Sequence, residues 1–339
     1  MRSARQYGGG VLRIYVTILG MKKWIWMMFC LIGLGAWAAE PLMLLNPGRE
    51  TFLNFPSAVF PDKTITIFLP EPAVPLHGKY PVVYVIGAIP KDAPAVQDLL
   101  ARAAKKAIIV GVNLTEADLK KQGDVSTFFS RELVPYIDTN YPTLQEPVFR
   151  AIAASGPTGT RALAALLARK QLFARAFVLN SGTAPISFAG ADGKLRVLAV
   201  GAREELAVLW QTLQDMGRKY GTQAVLQIAP ETTWAESLNL DYLFADDADL
   251  QIVKLEGNTS SKNAFIARNS SVSFSVKALL ANKMEFDYIP LNLRISPPYL
   301  SWDAALGVLK PIPGATAGKV KIGVTVDNLG YTAKIRLKK

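Results

Sequence analysis

Between residues 80 and 228 the chain alternates short, nearly continuous apolar runs with longer amphipathic segments, and this restricts it to one fold class. The runs at 80–86 (YPVVYVI) and 107–112 (AIIVGV) have almost no polar face. A strand of that kind is buried on both sides, as in the middle of a parallel sheet. Further strands are predicted at 148–153, 174–180, 194–200 and 223–228, and helices at 92–106, 126–136, 160–170 and 204–220. The stretch 63–69 alternates polar and apolar residues and stops at Pro70, so it reads as a half-buried strand. Strands that alternate with helices imply right-handed βαβ units. The expected class is α/β, with a mostly parallel sheet and helices on both faces.

The period changes near residue 257. Val272, Phe274 and Val276 alternate with serines and Lys277, and Ile289, Leu291, Leu293 and Ile295 alternate across Pro290. Val320, Ile322, Val324 and Val326 lead into a turn at 327–330, after which Tyr331, Ala333, Ile335 and Leu337 keep the period of two. That is a hairpin signature. Its outward positions are Lys319, Lys321, Lys334, Arg336 and Lys338. Residues 258–339 are therefore expected to form a small antiparallel β module of sandwich type. A helix over 276–283 remains open.

The N-terminus reads as a targeting segment. Lys22 and Lys23 precede an apolar run at 24–37 that ends in a small-x-small site at Ala36-Trp37-Ala38. Such a segment is a signal peptide, and its core is shorter than the ~20 residues of a membrane span. Cleavage is expected near Ala38, which leaves no transmembrane segment and places the protein in the periplasm or at the cell surface. Met21 stands directly before Lys22, so residues 1–20 are expected to be an upstream extension from a wrongly chosen start codon. The domains expected are thus 1–20, a signal at 21–38, an α/β domain at 39–257 and the β module at 258–339. Cys30, the sole cysteine, falls inside the signal, so the remainder has no disulfide and no thiol nucleophile.

The net charge of +11 divides unevenly. Residues 1–38 hold five basic and no acidic groups, and residues 258–339 hold 12 Lys/Arg against four Asp/Glu. The excess in the β module suits an anionic neighbour: an envelope component or a protein. A solvated basic face without a partner fits equally. Nucleic acid is not an expected partner of an exported chain.

Ordered segments carry a resemblance. ITIFLPE at 65–71, KYPVVYVIG at 79–87, FFSRELVPYIDTNYPT at 128–143, FRAIAASGPTGTRALAAL at 149–166, LFARAFVLNSG at 172–182, LRVLAVGAREE at 195–205 and IAPETTWAESL at 228–238 resemble the esterase D and enterochelin-esterase-like branch of the α/β-hydrolases. The resemblance covers roughly 60–245. It implies an α/β-hydrolase-like sheet in which a strand runs into a sharp elbow bearing a nucleophilic serine, with the next backbone N–H in the oxyanion hole.

Aligned on that pattern, this chain departs from it at several points. The position of the nucleophile falls on Gly156, which has no side chain. Pro157 follows, and it has no N–H to donate. The late histidine falls on Thr233, and the acid on Glu204 or Glu205. The sole histidine of residues 39–339, His77, precedes the strand at 80–86 and reads as a solvated loop residue. Without a base, a serine hydroxyl is not activated. A register shifted by one would make Ser155 the nucleophile. No metal-binding or cofactor pattern appears, and none is expected.

The resemblance therefore implies an esterase-like protein that binds a ligand in its former active-site cleft instead of hydrolysing it. Gly87, Ala88, Ser155, Pro157 and Trp234 are the expected ligand-binding positions, with Trp210 expected nearby. Two other readings stand beside it. One is an active carboxylic ester hydrolase that uses Ser155. The other is a structural envelope or assembly protein that binds through residues 258–339.

Overall fold

The computed structural model describes residues 48–52, 54–70, 78–86, 106–169, 171–183, 186–188, 195–220, 222–229, 238–260, 265–267, 270–326 and 329–338. Eight strands build the main sheet: β1 (Gly48–Phe52), β2 (Ile65–Leu69), β3 (Val82–Ile86), β4 (Ile108–Val112), β5 (Arg150–Ser155), β6 (Arg175–Leu179), β7 (Arg196–Gly201) and β8 (Gln223–Ile228). Their spatial order is β1-β2-β4-β3-β5-β6-β7-β8. β2 is antiparallel to β1 and to β4, and every pairing from β4 through β8 is parallel. This is the α/β-hydrolase-like sheet.

The apolar runs form strands because both of their faces are covered. In β3, Val82, Tyr84 and Ile86 enter one core with Ile152, Val178 and Leu163, whereas Val83 and Val85 enter another with Ala153, Phe177 and Leu198. The helices are α1 (Glu116–Lys120), α2 (Gln122–Thr127), α3 (Val134–Asn140), α4 (Gly156–Leu167), α5 (Arg203–Tyr220) and α6 (Leu240–Leu243). A π-helical stretch, Phe128–Leu133, joins α2 to α3, so the helix expected at 126–136 is part of a longer run. The helix expected at 92–106 lies outside the described residues except for Lys106.

Two features decide where a ligand can enter. The strand order reverses between β3 and β5, since β4 lies on one side of β3 and β5 on the other. In open α/β sheets the crevice outside the carboxyl ends of the strands at such a point is the ligand site. At the amino end of β7, by contrast, the sheet is plugged. Arg196 is 1% exposed; its guanidinium donates to the carbonyls of Leu243 (3.0 Å) and Ala245 (2.5 Å) and pairs with Asp247 (2.6 Å). That buried cation is satisfied on several sides, as a buried charge must be.

The chain continues through β9 (Ile252–Thr259), β10 (Phe265–Ile266), β11 (Val272–Leu280), β12 (Glu285–Tyr288), β13 (Arg294–Ser296), β14 (Leu300–Asp303), β15 (Val308–Pro311), β16 (Gly318–Val326) and β17 (Leu329–Leu337). β12 takes the edge of β8, and the Asp287 carboxylate accepts the Ile228 N–H at 2.8 Å. The main sheet thus passes into β12, β11 and β9, then β15 and β14, while β10-β17-β16-β13 form a second sheet. Phe274, Val276 and Leu309 pack against Val320, Ile322 and Ile335 between them. This is a β sandwich, and residues 276–280 are strand, not helix. The expected boundary between 257 and 258 falls inside β9. Only Arg294–Ser296 of the strand expected around 289–295 forms. The carbonyls of Ile289 and Pro290 instead accept the indole N–H groups of Trp210 (2.8 Å) and Trp302 (2.7 Å).

Candidate functional site

The crevice at the carboxyl ends of β3, β5, β6 and β7 centres on the joint between β5 and α4. Ser155 ends β5 with an extended backbone (φ −127°, ψ 155°); it is exposed, and its hydroxyl does not cap the helix. Gly156 follows with φ +70°. That left-handed conformation costs a residue with a Cβ about 1–2 kcal/mol, but a glycine adopts it freely. It makes the abrupt strand-to-helix turn on which α/β-hydrolases expose a nucleophile. Among the described residues, no atom lies within 4 Å of where a Cβ on Gly156 would stand. The elbow is present in its backbone, and the residue at its tip has no side chain.

The turn is held from behind. Pro157 begins α4, where a missing N–H leaves no helical bond unmade, because the first-turn amides have no partner in the helix. Its ring packs on Gly182 (φ +77°), where a Cβ would lie 2.6 Å from the proline Cγ. Gly159 lets the helix approach β5, with a would-be Cβ 3.4 Å from the Ala154 Cβ. The Thr160 hydroxyl donates to the Gly156 carbonyl at 2.8 Å. On one flank the Thr158 hydroxyl donates to Glu116 of α1 at 3.4 Å.

On the other flank the two acids at the start of α5 separate. Glu204 is exposed, whereas Glu205 turns inward, and its Oε2 is buried with no hydrogen-bond partner among the described residues. A Cβ on Gly201 would lie 3.0 Å from that oxygen and 3.3 Å from Oδ1 of Asn180, so carboxylate and amide converge over the end of β7. Asn180 is itself left-handed (φ +51°), as asparagine tolerates. It is a site residue that the sequence reasoning missed; the signal for it was the Asn-Ser-Gly that follows β6. Next to Glu205, Arg203 donates Nε to the Ala304 carbonyl (3.2 Å) and stacks on Trp302 at 5.7 Å. Burial pushes its guanidinium pKa down, against the opposing pull of Asp287, Glu204 and Asp303. The β sandwich therefore packs against the start of α5.

The structure brings Ser155, Gly156, Pro157 and Glu205 to one end of the sheet and leaves Glu204 outside. Trp210 does not reach the cleft: it is buried against the sandwich, edge-on to Tyr288 at 5.7 Å. Gly87, Ala88, Thr233, Trp234 and His77 lie outside the described residues. Among the described residues no group of three or more His, Cys, Asp and Glu side chains is placed to hold a metal ion.

Sheet order and elbow define an α/β-hydrolase-like protein whose candidate site is the end of β5. More narrowly, the chain belongs to the Esterase family, which it matches over residues 58–261. Among solved structures it is similar to an IroE-like serine hydrolase from Shewanella oneidensis (16% identity over 58% of this chain and 78% of that one, TM-score 0.42). It is also similar to the BES protein from Bacillus cereus (14%, 59% and 95%, TM-score 0.43) and to enterochelin esterase from Shigella flexneri (12%, 53% and 52%, TM-score 0.42). No curated protein matches it.

Proposed function

We propose that this protein is a non-catalytic member of the Esterase family, which holds a ligand in the crevice at the carboxyl ends of β3, β5, β6 and β7. The observation that carries the reading is Gly156 at the apex of the elbow. An acyl-transfer elbow needs a side-chain nucleophile there and a backbone N–H directly after it to stabilise the oxyanion. Gly156 lacks the first, and Pro157 lacks the second. Loss of such a unit removes about 10^6-fold in rate, and only binding is left. Oε2 of Glu205, which has no hydrogen-bond partner among the described residues, and the Asn180 amide then serve as polar contacts for a ligand with hydrogen-bond donors. The basic, apolar N-terminal segment supports action in the periplasm or at the cell surface.

The test is hydrolysis of a panel of p-nitrophenyl esters and thioesters by the purified chain, with Ser155→Ala measured beside it. Rates at background for both are expected. The exposed hydroxyl of Ser155, one residue before the apex, favours the alternative of an active ester hydrolase. If the parent hydrolyses and Ser155→Ala does not, that alternative holds and the binding reading fails.

A further inference from the structure

We infer that the outer face of the four-stranded sheet is a docking surface for an anionic phospholipid bilayer. The register supplies the argument. In the hairpin, Lys319 stands directly opposite Arg336, and Lys321 directly opposite Lys334. All four are exposed, on the side away from Val320, Ile322 and Ile335. Arg294 pairs with Gly323 on the next strand and extends the same face. Strands lie about 4.8 Å apart and successive outward residues about 6.8 Å apart, so the five cations form a compact array. The strands β13, β16 and β17 hold no Asp or Glu, and among the described residues none of the five cations is ion-paired.

Like charges placed directly opposite one another weaken a strand pair. Here two such pairs adjoin, and among the described residues none of the four cations is offset by an ion pair. The other sheet of the sandwich is different: Lys254 pairs with Glu256 (2.5 Å) and Lys277 with Glu285 (3.8 Å). The repulsion is thus confined to one face, where a partner outside the chain relieves it.

The chemistry of that partner follows from what lies between the cations. The outward positions there are Ser296, Gly323, Thr325, Gly330 and Thr332. No outward position of β13, β16 or β17 among the described residues carries an aromatic ring; the register adds Phe265 of β10, opposite Arg336 at the sheet's edge, and a single ring is no platform for a run of stacked bases. Lysine is a mobile point charge without the planar fork that reads one anion bidentately. A flat array of such charges suits a flat, repeating anionic surface, to which polybasic segments are drawn without shape recognition. The inference does not depend on whether the cleft binds or hydrolyses.

The experiment is co-sedimentation of the purified chain with vesicles of phosphatidylcholine alone or with one third phosphatidylglycerol, at low and high salt. Lys321→Gln/Lys334→Gln is compared with Lys254→Gln/Lys277→Gln from the other sheet. The parent is expected to prefer the anionic vesicles at low salt and to lose that preference at high salt. Lys321→Gln/Lys334→Gln is expected to weaken binding on the order of 30-fold, about a factor of five per cation. The control pair is expected to bind like the parent, and Lys321→Gln/Lys334→Gln to unfold at a temperature no lower than the parent's, so that weaker binding is not loss of fold. Any binding through the apolar run at 24–37 is common to all variants and to both vesicle types, so the difference between variants isolates the face. Equal binding by the two double variants overturns the inference, as does parent binding that ignores lipid charge. If Lys321→Gln/Lys334→Gln lowers retention on heparin while no form of the protein sediments with vesicles, the partner is a soluble polyanion and the bilayer is excluded.

Discussion

The turn from β5 into α4 and the hairpin of β16 and β17 depart from local preference in opposite ways. At the turn the backbone is unusual, with Gly156 and Gly182 both at positive φ, and no reactive side chain stands at the tip. On the hairpin the backbone is regular over nine register pairs, and the side chains are what oppose folding, as Lys319 faces Arg336 and Lys321 faces Lys334. The first region has the backbone of a strand-to-helix elbow with a glycine at its tip. The second concentrates cations on the outward side of a regular hairpin. A fold can thus hold an abrupt turn with no side chain at its tip, because the packing around the turn supports it. It can also hold a repulsive surface, because the inward residues Val320, Ile322, Val324 and Ile335 keep the strands together.

The most severe test of this comparison is Gly182→Val. A β-branched residue there meets both an unfavourable φ and the Pro157 ring, so a loss of about 3 kcal/mol in urea unfolding is expected. A variant as stable as the parent would show that the elbow yields easily, and that its shape is not enforced from behind.

A smaller effect probes α1, which lines the elbow through Glu116. Asp118 is buried, accepts from the Thr115 N–H at 2.8 Å and pairs with Lys63 at 2.6 Å. Burial pushes its carboxyl up, but the hydrogen bonds from Lys63 and Thr115 outweigh this and hold it below the usual range. A depressed pKa stabilises the fold above the unfolded value of about 4, and that contribution is lost as the pH falls through the folded value. Asp118→Asn is expected to cost about 1.5 kcal/mol at neutral pH. The gap from the parent should close below about pH 4. A gap that stays constant down to pH 2.5 would assign the loss to packing instead of charge.

On the hairpin the sign reverses. Lys334→Glu places an acid opposite Lys321 and is expected to raise stability by about 0.5 kcal/mol at low salt, with the gain fading at high salt. The same variant should lose anionic vesicles. Lower stability at low salt would mean that the four cations do not repel one another, and the contrast between the two regions would collapse.

Local pattern made much of the fold legible. The runs at 80–86 and 107–112 became β3 and β4 because an apolar strand with no polar face has few other places to go. The hairpin followed from alternation alone, and so did its cationic face. The β5–α4 joint was legible because Gly156 and Pro157 are the two residue types with special backbone behaviour. What stayed hidden depended on distant partners. The sequence offered Glu204 and Glu205 as equals; the direction of each side chain off the start of α5 separates them. Trp210 read as a cleft residue, yet its indole is used by the Ile289 carbonyl, 79 positions away. The boundary at 257/258 followed a change of period, but β12 adds to β8 across it, and backbone hydrogen bonding across an edge leaves no trace in composition.

By itself the sequence determined the alternation of strands and helices, the sandwich hairpin, and the Gly156-Pro157 pair at the elbow. These follow from residue type and spacing, which act within a few positions along the chain. Only the tertiary structure decided that Gly156 adopts the left-handed apex, that Glu205 and Asn180 meet over Gly201, and that among the described residues the cations of the hairpin face have no ion-pair partner. Each of these depends on where strands far apart in sequence come to lie, and that is set by burial and register across the whole sheet.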